Sequence, residues 1–475
     1  MSCVARRFTR PVTKIQLSSA DGDCPQLPDE AFLEKARTLR PFYFIVVVWG
    51  ERYTDFLLNF CIPALLSPHN IPALANRGGN KFLVATTDED WKRMQPRPIF
   101  QLLKQYVEPV FIRIPPCPEG VSHCIHMGVG HKLATHMAFE DRAYGVLLTP
   151  DLMVSDGTMA AAQSHAVNGV QVVLTAALRF AEEPLFEHLE KLGIVAIDSR
   201  FGDEARPLVA TGRQLVWAGI RSFHSETLCY EWEKPYFAFF PPACWWRVPE
   251  EDGIIVHSLS WAPLLVDYDA VEHHDSSMMD HWTIDGDYVY QNFGLDGKVH
   301  VVQDSDEIML VSWAPLSDRE QPLKPKYWFT NRFIGEWAKG MVLYDTLRHP
   351  FIDLLKRNIF VRPVYWHARD INPKWGIVER KALGVLRKFG LHPDVIGTGV
   401  RGLAVGGIMI ARTVHYVCGF FFRFVSMVVY YWIERRRVLG IAIQAIKGDP
   451  AARTRVKRSF RYFVRWVTGL PITRG

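Results

Sequence analysis

The chain has 475 residues, 48% of them hydrophobic and 22% charged, which is ample material for a core of the ordinary globular kind. That composition excludes a disordered chain, a collagen-like repeat and a disulfide-stapled miniprotein. The formal net charge is only +5, yet Glu434–Gly475 holds 11 basic and 2 acidic residues, so a strongly basic tail follows a slightly acidic body.

The eight cysteines, Cys3, Cys24, Cys61, Cys117, Cys124, Cys229, Cys244 and Cys418, form no CxxC pair, which predicts free thiols and a cytoplasmic, reducing compartment. The basic start MSCVARRFTRPVTK leads into no apolar run, so no signal-peptide core is expected. Residues 1–38 read as a tail and one helix, AFLEKARTL, capped by Asp29.

Strand and helix then alternate. The apolar run FYFIVVVW at 42–49 predicts a buried strand, followed by the helical pattern ERYTDFLLNFCIPALL. KFLVATT (81–87), PVFIRI (109–114), YGVLLTP (144–150) and VQVVLTAAL (170–178) predict further strands, with helices at DEDWKRM, MGVGHKLATHMAFE (127–140) and DGTMAAAQSHAVNG between them. Alternation over this length predicts an α/β fold with a doubly wound, mostly parallel sheet, helices on both faces, and ligands at the carboxyl ends of its strands.

From about 180 the pattern becomes mixed and aromatic-rich. GIIVHSLSW (253–261) and VHVVQ (299–303) predict strands, and IFVRPVYW (359–366) is strand-like within an otherwise helical stretch. SWAPL occurs at Ser260–Leu264 and again at Ser312–Leu316, too short a match for an internal repeat. The expected units are residues 39–325 as the principal domain, 326–395 as a helical extension, and 396–475 as an apolar and basic helical region.

The residues just after each strand line the crevice of such a sheet. They are Trp49-Gly50-Glu51 after the first strand, Thr86-Thr87-Asp88 after the second, and Thr149-Pro150-Asp151 after the fourth. No GxGxxG and no GxxxxGK[ST] occurs, which disfavours a dinucleotide-binding Rossmann domain and a P-loop NTPase.

This layout resembles the GT-A glycosyltransferases over roughly residues 40–320. The resemblance implies a nucleoside-diphosphate sugar as donor and Mg²⁺ or Mn²⁺ held by a DxD motif. Asp88 then resembles the carboxylate that reads the base, with Trp49, Gly50, Glu51 and Thr87 in the surrounding loops. Thr149-Pro150-Asp151 takes the place of DxD, with Asp151 as the metal ligand and Thr149 in place of the first acidic residue. His131 and Lys132 are candidates to face the diphosphate as cations. His123, His126, His131 and His136 fit no strong zinc spacing.

HHDSSMMDHWTIDGDYVYQNF (273–293) forms a second constellation. Inverting glycosyl transfer needs a carboxylate to deprotonate the acceptor hydroxyl, and Asp285 or Asp287 beside aromatic rings suits that role. Asp304-Ser305-Asp306-Glu307 contains a literal DxD and is a rival metal site. Trp245, Trp246, Trp261 and Trp282 are candidates for a sugar-stacking platform or for core.

From Arg412 to Glu434 the chain is apolar, but Arg412 and Arg423 fall on one helical stripe, which disfavours a membrane span. Val456, Phe460, Phe463, Val464 and Val467 then share a face flanked by arginine and lysine, as binding to an anionic membrane surface requires. The combined expectation is a metal-dependent glycosyltransferase, peripheral to the inner face of the cell membrane, acting on a polysaccharide or lipid-linked glycan acceptor. A nucleotidyltransferase and a catalytically degenerate scaffold of the same fold are the alternatives. No nucleic-acid partner is expected, since the body is acidic and carries no recognised module.

Overall fold

The computed structural model describes residues 30–196, 201–238, 241–284, 286–293, 298–318, 335–347, 358–389 and 435–449, with single positions at 330, 417, 452, 453 and 456. The chain divides into two compact units. One comprises residues 1–346 with 352–389, and the other residues 347–351 with 390–475.

The first unit is a mixed α/β fold with thirteen described strands. The early ones are β1 (Phe42–Val47), β2 (Lys81–Thr86), β3 (Glu108–Arg113), β4 (Tyr144–Leu148), β5 (Leu152–Val154), β6 (Val172–Ala176) and β7 (Arg179–Ala181). The later ones are β8 (Ala243–Val248), β9 (Gly253–Ser258), β10 (Trp261–Asp267), β11 (Val299–Val301), β12 (Leu310–Ala314) and β13 (Val364–His367). Seven of them form the principal sheet in the order β11-β6-β10-β4-β1-β2-β3. All neighbours are parallel except β10, which runs antiparallel between β4 and β6.

The sequence explains the centre of this sheet. Every residue of β1 is buried, as a strand covered on both faces must be. The helix His123–Glu140 packs against β1 and β2. Its approach depends on glycine: a Cβ at Gly130 would sit 2.7 Å from Val47 and 2.9 Å from Ala85. After β1, the helix Glu51–Phe56 widens into a π turn at Leu57–Cys61 before continuing as Ile62–Leu65. Pro63 lacks an N–H and its ring would crowd the carbonyl four residues back, which accounts for the widening.

Two small sheets complete the unit, β5-β12-β7 and β13-β9-β8. The segment expected as one strand, 253–261, is instead two strands in different sheets. The Ser258 hydroxyl donates to the Ser260 carbonyl at 2.7 Å, and the Pro242 carbonyl accepts from both Leu259 and Ser260, turning the chain between β9 and β10. The strand-like 359–366 resolves into a helical end and β13, which pairs with β9. The two SWAPL segments lie in β10 and β12, again in different sheets.

In the second unit the described element is the helix Arg435–Ile446. Leu439, Ile443 and Ile446, at helical spacing, are exposed. No helix among the described residues is long and apolar enough to cross a membrane. The Arg412–Glu434 segment, apart from the single position 417, and the face from Phe460 to Val467 lie outside the described residues.

Candidate active site

The chain visits β1, β2 and β3 outward in one direction, then returns to place β4 on the other side of β1. This is a topological switch point, where open α/β sheets form a crevice at the carboxyl ends of their strands. Val46 pairs with both Val84 of β2 and Leu148 of β4, so the loops following all three strands emerge at one edge.

In the first loop Trp49 meets His126 edge to face, with ring centroids 5.0 Å apart, and Glu51 opens the next helix, exposed. Gly50 has φ +79°, a left-handed conformation that side-chain-bearing residues rarely adopt. Its N–H donates to Asp90 Oδ2 at 2.9 Å. Asp90 also accepts from the Thr87 hydroxyl and from Arg93, both at 2.9 Å, while Thr87 caps the helix Asp88–Met94. Asp88 is exposed and pairs with Arg113 at 2.7 Å. The buried carboxylate that organises these loops is therefore Asp90, for which the sequence signal was the spacing Thr-x-x-Asp.

Asp151 sits between β4 and β5. It keeps part of its surface open while lying deep among protein atoms, and burial raises its pKa against the lowering effects of Arg179, the Thr149 hydroxyl, its own backbone N–H and Ser312. The β5-β12-β7 sheet explains this company. Ser312 on β12 is the register partner of Leu152, next to Asp151, and of Arg179 on β7. The Thr149 hydroxyl lies beside the carboxyl but makes no hydrogen bond of ordinary geometry, leaving a buried polar oxygen without a partner. Tyr53, Cys61 and Glu182 are all within electrostatic reach of Asp151, and burial followed by that charge raises the Tyr53 and Cys61 pKa values. Arg179 and Ser312 escaped the sequence reading because strand register, not spacing, gathers them, and Tyr53 and Glu182 because they reach Asp151 from helices that the tertiary fold brings alongside.

His131 and Lys132 separate. His131 is buried, its Nδ1 lies 3.0 Å from the Thr283 hydroxyl, and burial pushes its pKa down to about 4, so it is a neutral group at pH 7 rather than a cation. Lys132 points outward to an ion pair with Asp280 at 2.8 Å. Asp285 lies outside the described residues, and Asp287 occupies the first turn of the helix Gly286–Asn292. Nearby, His274 lies 2.7 Å from the Tyr288 hydroxyl, which donates to Tyr268 at 2.9 Å.

Of the expected tryptophan platform, Trp245, Trp246 and Trp261 are buried core, whereas Trp282 is exposed. The literal DxD is occupied by ion pairs. Asp304 meets His367 at 2.8 Å, and Arg213 binds both oxygens of Asp306 and reaches Asp370 at 2.6 Å. A cleft lined by Trp232, Glu233, Lys339 and Lys381 contains none of the crevice residues.

Chemically, the crevice offers one carboxylate, two hydroxyls and a guanidinium. Hard oxygen donors of this kind suit Mg²⁺ or Mn²⁺ when a ligand's phosphates complete the set, and the buried Thr149 hydroxyl stands beside Asp151 as a further oxygen donor. No protein-family description matches the chain, and no curated protein matches it. Among solved structures, a glucose-1-phosphate thymidylyltransferase from Bacillus anthracis in complex with a sucrose is similar at 8% identity and a TM-score of 0.20. The match covers 30% of this chain and 57% of that one, so the chain spans little more than half the length of that neighbour.

Proposed function

We propose that the chain is a GT-A-like glycosyltransferase that moves a sugar from a nucleoside-diphosphate sugar to a membrane- or envelope-associated glycan or lipid-linked acceptor. The observation that carries the reading is the meeting of Asp151, Ser312 and Arg179 beside the β1–β4 switch point, through the small sheet that follows β4. The donor nucleotide would lie across Trp49–Glu51 and Thr87–Asp88, with its diphosphate toward Asp151.

In the reaction an acceptor hydroxyl loses its proton to a base, its oxygen bonds to the sugar's anomeric carbon, and the bond from that carbon to the diphosphate oxygen breaks. The nucleoside diphosphate leaves with the bonding pair. Arg179 would stabilise that developing charge. Asp285 or Asp287 would be the base. A divalent ion would be held by Asp151 with the Thr149 and Ser312 hydroxyls, and would supply charge neutralisation of the diphosphate.

The reading also places the enzyme at the inner face of the cell membrane through the basic C-terminal region, supported by the exposed Leu439, Ile443 and Ile446. A thermal-shift screen of UDP, GDP, CDP and dTDP, with and without Mn²⁺, tests the donor class. Stabilisation by at least one of them is expected, and no shift with any would overturn it.

A further inference from the structure

The Asp304–Glu307 turn, which joins β11 to β12, has two chemically different sides. On one, Arg213 pairs with Asp306 and His367 with Asp304. On the other, Glu307 meets two histidines and, among the described residues, no lysine or arginine. His165 Nε2 lies 2.5 Å from Glu307 Oε1, and His300 Nε2 lies 2.8 Å from the same oxygen. The two imidazoles stack with centroids 3.9 Å apart and planes 27° from parallel, so both nitrogens aim at one point.

We infer that His165, His300 and Glu307 form a binding site for a zinc ion, separate from the Mg²⁺ or Mn²⁺ expected at Asp151. The donor atoms lie within 4.8 Å of one another. Zinc bonds of roughly 2.0–2.2 Å to nitrogen and carboxylate oxygen put tetrahedral ligands about 3.3 Å apart. The present separations of 2.5 and 2.8 Å therefore need to widen by about 0.8 and 0.5 Å to admit the ion. Two imidazole nitrogens and one carboxylate suit Zn²⁺ and not Mg²⁺ or Ca²⁺, which take oxygen ligands almost exclusively.

All three side chains keep some solvent access, with 18%, 31% and 27% of His165, Glu307's partner His300 and Glu307 exposed, which leaves an entry path and room for a water as fourth ligand. The donors come from three separate segments. His165 is in the last turn of the helix Thr158–Val167, His300 is in the middle of β11, and Glu307 precedes β12. β11 is a three-residue strand at the edge of the principal sheet, paired among the described residues with β6 alone. A zinc ion would therefore clamp a weakly held edge to the helix and to the turn that leads into the strand bearing Ser312.

Isothermal titration of tag-free, chelator-treated full-length protein with ZnCl₂ tests the site, with MgCl₂ as comparison. One equivalent of zinc is expected to bind and to raise the melting temperature, and any response to magnesium, which belongs to Asp151, is expected to be unchanged by His165→Ala or His300→Ala. His165→Ala and His300→Ala should each weaken zinc binding on the order of 100-fold, the upper end of what loss of even an outer-shell partner costs. His123→Ala and His136→Ala should leave it unchanged. Should the alanine variants not fold, the visible spectrum of Co²⁺-loaded wild-type protein decides the matter. Intense four-coordinate bands that zinc displaces support the site, and their absence contradicts it. Zinc binding that survives His165→Ala/His300→Ala, or no zinc binding by the wild type, overturns the inference.

Discussion

Ser312 on β12 stands directly across from Arg179 on β7, and both act on the carboxyl of Asp151. Three segments distant in sequence thus deliver a carboxylate, a hydroxyl and a guanidinium to one point. Under the proposed function Arg179 is the cation that receives the diphosphate there. Arg179→Ala should weaken nucleoside-diphosphate affinity by roughly 10- to 100-fold, the range for one charge-assisted hydrogen bond. Arg179→Lys should recover part of it. Titration calorimetry checks both, and equal affinity in all three proteins would remove Arg179 from the site.

His131 predicts a specific pH dependence. Its folded pKa, about 4, lies below its ordinary value of 6.5 because burial disfavours the charged ring. The unfolded chain therefore binds the proton more readily. The stability that neutral His131 allows is fully present above pH 6.5 and is lost progressively as pH falls from 6.5 toward 4. Its share is up to about 3 kcal/mol at the acid end. His131→Gln, which can still bond Thr283, should flatten urea-unfolding stability across that window. An identical pH profile in the variant would show that His131 does not carry the dependence.

The Asp304-Ser305-Asp306 motif has the spelling of a metal site and the contacts of an ion-pair network. Asp306→Asn should lower stability by about 1 kcal/mol, since the group is partly exposed. It should leave any Mn²⁺ dependence of nucleotide binding intact. Loss of that dependence in Asp306→Asn, with stability unchanged, would move the metal from Asp151 to this turn.

For membrane attachment, Leu439→Asp/Ile443→Asp should reduce co-sedimentation with vesicles containing phosphatidylserine several-fold, because each change removes apolar burial and adds repulsion. Salt should reduce wild-type binding as well. Equal sedimentation of wild type with neutral and anionic vesicles would contradict the electrostatic part of the account.

The central strands were legible because β1, β2, β4 and β6 are nearly continuous apolar runs, which burial on both faces demands. β8 and β12 were not, since tryptophan-rich segments such as ACWWRV fit core and surface platform equally well until packing decides. Trp245 and Trp246 are fully buried in the core. The same limit applied at the crevice. Sequence order locates the loops after β1, β2 and β4, but it does not distinguish the exposed Asp88 from the buried Asp90 two residues later. Nor does it anticipate that His131 faces inward while Lys132 faces solvent, or that Arg179 and Ser312 meet across two strands.

The central claim is that the crevice at Asp151 binds and activates a nucleoside-diphosphate sugar. Its most direct test is the hydrolysis of nucleotide-sugars without acceptor, measured by nucleoside-diphosphate release in the presence of Mn²⁺, for wild type and Asp151→Ala of equal circular dichroism. Release by the wild type from at least one donor, falling on the order of 100-fold or more in the variant, is the predicted result. Undiminished release and unchanged nucleotide affinity in Asp151→Ala would contradict it.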